Sequence, residues 1–240
     1  MVRSAEAAPR IAVITPYHRE DIATLERCHR SVLAQTHPCR HVLVADGHPQ
    51  EPLQHWQADH LQLPLSHDDI GSTPRLIGAI HAIGLGVDAV AFLDADNWYR
   101  PTHIETLVRL HEGGGAVFLA SQRSLYSLDG SELGPCPITD PERFIDTNSM
   151  MFWREAFPLL HHWVLMPSYA HLIGDRVMLH HVRQSGLPTG FSPEPTVCYT
   201  CGKPGLYQMM GVVPPAGVQP RPNYEQAMQQ WQQDGHPPLP

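Results

Sequence analysis

No stretch of this 240-residue chain stays apolar for the ~20 residues that cross a bilayer, and its start, MVRSAEAAPR, lacks the apolar core of a signal peptide. A cytoplasmic protein is expected, with peripheral membrane contact left open. Basic residues are scarce, 16 against 24 acidic ones, and the formal charge of -8 excludes a general nucleic-acid binder, which needs a basic face to displace counterions. A single nucleotide ligand is not excluded by this. Cysteine is limited to Cys28, Cys39, Cys136, Cys198 and Cys201, an odd and scattered set of five that argues against a disulfide framework. Cys198-Tyr-Thr-Cys201 has C-x-x-C spacing but no second such pair, so ordinary strand or loop thiols are the simpler reading. Also missing are G-x-x-x-x-G-K-[ST] and, despite 17 histidines, H-E-x-x-H. G-x-G-x-x-G is absent too: the nearest glycine cluster, GLGVDA, precedes a strand rather than a helix, which speaks against a dinucleotide protein.

What is present is a 42% hydrophobic chain, enough for a substantial core. IAVIT (11–15) and HVLVAD (41–46) read as buried strands, with a helix between them whose apolar positions are Ile22, Leu25, Cys28, Val32 and Leu33 and whose cap is Asp21. A short helix near 50–59 and a short strand near 61–67 follow. Leu76, Ile77, Ile80 and Ile83 then mark a helix from Thr73 to about Leu85, AVAFLDAD a strand, and Pro101 the start of a helix that Gly113-Gly114-Gly115 ends. AVFLASQRSLYSL (116–128) is another strand, 129–143 a turn-rich loop, FIDTNSMMFWREAF a strand running into a helix, and Gly174 to Ser185 a further helix. This alternation predicts an α/β/α sandwich with a mostly parallel central sheet. The domain would cover 10–203, divided near 112, after a flexible 1–9. The tail, 204–240, holds eight of the 24 prolines and should be largely extended, apart from a short docking helix near 223–234 capped by Asn223.

Ligands in such sheets bind beyond the carboxyl ends of the strands, and here those ends carry Thr15-Pro16-Tyr17, Asp46-Gly47 and Asp94-Ala95-Asp96. Together with IAVITPYHRED, LERCHRSVLAQTHPCRHVLVADG, GSTPRLIGAI and VAFLDADNWYRP, in this order and spacing, the chain resembles glycosyltransferase family 2, nucleotide-sugar-dependent enzymes with the Rossmann-like GT-A fold. The likeness is close over 10–112 and looser over 145–200. It implies that Thr15, Pro16 and Tyr17 form the first nucleotide-binding segment, that Asp46 looks toward the base, and that Arg75 sits near the nucleotide. It further implies that Asp94-Ala95-Asp96 is the D-x-D motif, with Asp94 near the ribose and Asp96 near a Mn2+ or Mg2+ on the donor diphosphate. Asp175 takes the place of the general base. The implied reaction moves a sugar from a nucleotide donor, UDP-sugar favoured, to a hydroxyl of a glycan, lipid-linked or small-molecule acceptor, with inversion.

Each residue also has a plainer reading. Asp94, Asp96 and Asp46 suit polar strand ends and turns, Arg75 a solvated helix face, and Asp175 a helix cap. His171, His180 or His181 could add a metal ligand or simply decorate helices; Asn148 and Ser149 could face the sugar or bond locally in a turn; Trp98, Trp153 and Trp163 could form a sugar platform or fill core. A retaining transferase and a non-catalytic nucleotide-sugar binding module are the alternative functions, and the tail is a candidate surface for self-association or partner docking.

Overall fold

The structure, a computed structural model, describes residues 8–220 and 222–239; the segment expected to be flexible lies, over 1–7, outside the described residues. Strand β1 (Ile11–Tyr17) is buried at every position, as its β-branched run dictates for a central strand. Helix α1 (Ile22–Leu33) begins where Asp21 accepts the Thr24 N–H at 2.9 Å and buries Leu25, Cys28 and Val32. Strand β2 (Cys39–Asp46) pairs parallel with β1, and β3 (Asp59–Leu63) parallel with β2. Helix α2 (Ser72–Gly84) packs on β1 and β2 before β4 (Ala89–Phe92) joins β1 in parallel from the other side. The short β5 (Trp98–Tyr99) and α3 (His103–Gly114) follow, and Gly115, at φ +66, stops the helix in the left-handed conformation glycine tolerates.

The second half closes the sheet differently. Strand β6 (Phe118–Tyr126) takes the hairpin partner β7 (Glu132–Pro135), and β8 (Met151–Trp153) runs antiparallel between β4 and β6. After α4 (His162–Leu165) and α5 (Gly174–Ser185), the long β9 (Thr189–Thr200) pairs parallel with β6 and antiparallel with β5. The order is β3-β2-β1-β4-β8-β6-β9-β5, a mixed sheet whose first four strands are all parallel. No described helix is long and apolar enough to cross a membrane.

Three elements lie where the sequence pattern marked none. β7 lies inside the predicted loop, since its four residues alternate too briefly to show a period. β9 carries Pro193 and Pro195, and the sheet accommodates them where its register against β6 slips, opposite Ser121 to Arg123. In the tail, α6 (Pro204–Met209) buries Tyr207. The predicted docking helix is α7 (Tyr224–Gln233): Asn223 accepts the Gln226 N–H, Ala227 and Trp231 are buried, and the helix packs against Ser168–Ile173 of its own chain.

Gly78 sets how closely α2 approaches the sheet, because a Cβ there would lie 2.5 Å from the Ile14 Cγ2 and 2.9 Å from the Val44 Cγ2. Alanine would gain ~1 kcal/mol of helix propensity but cost ~1–3 kcal/mol in overpacking. Gly78→Ala should therefore lower the urea unfolding midpoint, with a net loss of up to about 2 kcal/mol; a raised midpoint would contradict this packing.

Candidate functional site

The carboxyl ends of β1, β2 and β4 meet in a cleft of about 460 Å3 lined by Pro16, Tyr17, Asp46, Arg75, Asp94, Ala95 and Asp96 among others. Parallel pairing brings this about: neighbouring strands running the same way end on the same edge. A larger cavity, about 700 Å3, lies at the opposite end of the strands, where the charged Arg40 and Asp59 pair with each other at 2.8 Å. It has no comparable set of free acids, so the chemistry belongs to the smaller cleft.

Asp94 is held from two sides. Arg75, itself buried, donates to Oδ1 at 2.5 Å and to the Ile70 carbonyl at 2.8 Å, while its guanidinium lies 5.2 Å from the Trp163 ring. Asn148 donates to Oδ2 at 3.0 Å and accepts the Asp94 backbone N–H at 2.5 Å. Asp96 differs. Its side chain opens to the cleft and, among the described residues, has no hydrogen-bond partner on another residue; the dense protein around it and the charges of Asp94 and Glu20 push its carboxyl up to about 7. Its backbone carbonyl is fixed by the Arg27 guanidinium at 2.7 Å and the Thr200 hydroxyl at 2.6 Å.

Asp46 is 5% exposed and bonded to the loop after β3: His67 Nδ1 lies 2.6 Å from Oδ1, and the His67 N–H is 3.2 Å from both oxygens. In that loop Asp68 and Ile70 have positive φ, +52 and +56. A β-branched residue there is strained, and such strain concentrates at functional sites. Tyr17 walls the cleft but is only 2% exposed, its ring stacked against His60 and its hydroxyl 2.7 Å from His60 Nε2. It offers no free ring face for a base.

Two expected residues lie outside the cleft lining. Thr15 turns into the interior, where it is fully buried and its hydroxyl bonds His41 Nε2 at 2.9 Å beside Cys28. Asp175 sits in the first turn of α5, one residue past its first helical position, so it is not the cap; that position belongs to Ile173. Burial, and next the charge of Asp146, raise its carboxyl to about 6, against the Arg176 N–H, Arg176 and Arg123.

Asp146 belongs to a cluster that sequence reasoning did not assemble. It accepts from Asn148 Nδ2 at 2.7 Å and pairs with the buried Arg123, which lies 4.2 Å from the Tyr199 ring. The only sequence signal was the polar run Asp146-Thr147-Asn148-Ser149 just before an apolar strand. Trp153 and Trp163 are core, and Trp98 is part-exposed with Arg27 over its ring at 4.3 Å. All five cysteines are free. His171 bonds Ser72 at 2.9 Å, while His181 stacks on His162 at 3.5 Å with His180 beside it, away from the cleft lining.

Among the described residues, no three His, Cys, Asp or Glu side chains converge on a metal position. The cleft still fits a hard cation. Its lining has six carboxylates (Glu20, Asp46, Asp68, Asp69, Asp94, Asp96) and one guanidinium, Arg75, a balance that repels a bare diphosphate and admits one accompanied by a cation. Asp96 is the open oxygen ligand, and Mg2+ or Mn2+ is commonly held by one or two carboxylates plus phosphate oxygens.

An α/β sheet with its polar cleft beyond the carboxyl ends of its parallel strands is the class of ligand-binding doubly wound proteins. The Glycosyl transferase family 2 profile matches residues 12–182, and the chain belongs to that family. Crystal structures of S. aureus TarS share the GT-A fold: TarS 1–349 in complex with UDP superposes with a TM-score of 0.61 at 13% identity, covering 84% of this chain and 63% of that one. TarS without this truncation gives the same score with 38% of its length covered, so this chain spans under two thirds of these relatives. No curated protein matches the chain.

The Arg123–Asp146 pair is buried on both sides. Removing one partner strands the other charge, so Arg123→Ala should lose about 3–5 kcal/mol in urea unfolding; a loss under about 1 kcal/mol would mean that the pair is effectively solvated.

Proposed function

We propose that this chain is a metal-dependent glycosyltransferase that moves a sugar from a UDP-sugar to an acceptor hydroxyl with inversion at the anomeric carbon. The observation that carries the reading is the open Asp96 carboxylate beside the clamped Asp94 in an acid-rich cleft at the strand ends. The UDP bound to the fold relative S. aureus TarS 1–349 supports a uridine donor.

In this reading Pro16, Tyr17 and Ala95 wall the nucleotide, Asp46 accepts from the base once His67 gives way, and Arg75 and Asp94 hold the ribose–diphosphate end. Asp96 is the protein ligand to Mn2+ or Mg2+, which when bound neutralises charge on the departing diphosphate. The bond between the anomeric carbon and the diphosphate oxygen breaks, its electron pair leaving with UDP. The acceptor oxygen bonds the anomeric carbon and its proton passes to Asp175. A carboxyl held near 6 is a competent base at neutral pH and loses that capacity as it protonates below. The acceptor is a hydroxyl of a glycan, lipid-linked or small molecule, met on the side built from 121–150 and the tail. In this reading the protein acts in the cytoplasm, at most peripherally on a membrane.

Titrating a panel of nucleotide sugars with and without Mn2+ tests this. Metal-dependent binding of a UDP-sugar should disappear in Asp96→Ala, and its persistence there would sink the metal assignment. Asp175→Asn should retain donor binding while transfer falls at least ~100-fold, and the wild-type rate should decline below a pH of about 6; undiminished turnover by the variant would remove Asp175 as base. Retained anomeric configuration in the product would point to the retaining alternative.

A further inference from the structure

Asn148 is fully buried, and every polar atom of its side chain is committed. Oδ1 accepts the Asp94 backbone N–H at 2.5 Å, which dictates which way the amide faces. The Nδ2 group must then point at carboxylates, and it donates to Asp94 Oδ2 at 3.0 Å and Asp146 Oδ1 at 2.7 Å. No other side chain of this length accepts from a backbone N–H while donating to two carboxylates at once: aspartate has no donor when ionised, and serine has one. Asp146 is itself anchored, its Oδ1 accepting the Asn148 N–H at 3.0 Å and its Oδ2 pairing with Arg123.

We infer that Asn148 is a positioning residue for the donor site, fixing the Asp94 carboxylate opposite Arg75 so that the remaining lone pairs of Asp94 face the cleft, with Asp146 and Arg123 as its buttress. This rests on the donor-site reading above. Of roughly four lone-pair directions on a carboxylate, one on each Asp94 oxygen is taken by protein, by Arg75 on Oδ1 and by Asn148 on Oδ2. The carboxylate therefore cannot rotate, and what it offers a ligand is a pair of acceptors in one plane. Pre-orienting those acceptors spares a ligand the cost of ordering them, which is the source of affinity for a group that touches no ligand itself. Asn148 sits at the 3-10 turn Thr147–Ser149 that leads into β8, the strand hydrogen-bonded to β4, so the sheet carries this clamp from the second half of the chain to the end of the strand bearing Asp94.

The test is a double-mutant cycle on binding of UDP in saturating Mn2+, read by calorimetry on the full chain. Asn148→Ala should weaken UDP binding roughly tenfold, whereas in an Asp94→Ala background the same change should have no further effect. Circular dichroism checks folding, and if Asn148→Ala does not fold, Asn148→Ser, which keeps one donor, takes its place with a smaller loss of the same pattern. Unchanged affinity in the single variant, or an equal loss with and without Asp94, would overturn the inference, since a general structural role would act regardless of Asp94. Failure of the wild-type protein to bind UDP with Mn2+ would instead overturn the donor reading, and this inference with it.

Discussion

The fixed carboxylate of Asp94 is the constraint around which the cleft is arranged. It is positioned by Arg75, from the helix that follows β3, and by Asn148, from the turn before β8. These partners come from opposite halves of the chain and reach it only because β4 stands between β1 and β8 in the sheet. Two carboxylates one residue apart at a strand end repel each other. Tying one to a guanidinium and a carboxamide leaves Asp96 without a partner of opposite charge, so burial and the neighbouring acids hold its carboxyl up to about 7, and a cation beside it would favour the ionised form.

The same electrostatic logic extends beyond the cleft. Asp146 lies between the Asn148 amide and the Arg123 guanidinium, and after burial its charge is the next cause that raises the Asp175 carboxyl. One buried acid thus links the D-x-D strand to the start of α5. A core made only of apolar side chains would give the sheet comparable stability but no fixed relation between these groups, since hydrophobic contacts carry no direction.

The parallel half of the fold was readable from residue pattern because its strands are short continuous apolar runs and its helices show clear apolar faces with recognisable starts and stops, Asp21 before α1 and Gly115 after α3. The antiparallel half was less so. β9 is interrupted by prolines that only its slipped register against β6 accommodates, and β7 is too short to show alternation. Of the site, the acids at the strand ends were legible because parallel strands must end on one edge. The side-chain direction of Thr15 was not, and neither was the His67 contact to Asp46.

The amino-acid sequence by itself determined the alternation of the main strands and helices in the parallel half, the placing of Asp46, Asp94 and Asp96 at the carboxyl ends of strands, and the excess of acid over base, since all three follow from local pattern and composition. Only the tertiary structure decided which of those acids are engaged and which is open. Arg75, Asn148, Asp146 and Arg123 are separated along the chain by up to 73 positions, numbering from 75 to 148, and pairwise contact across such a distance is set by sheet topology rather than by local propensity.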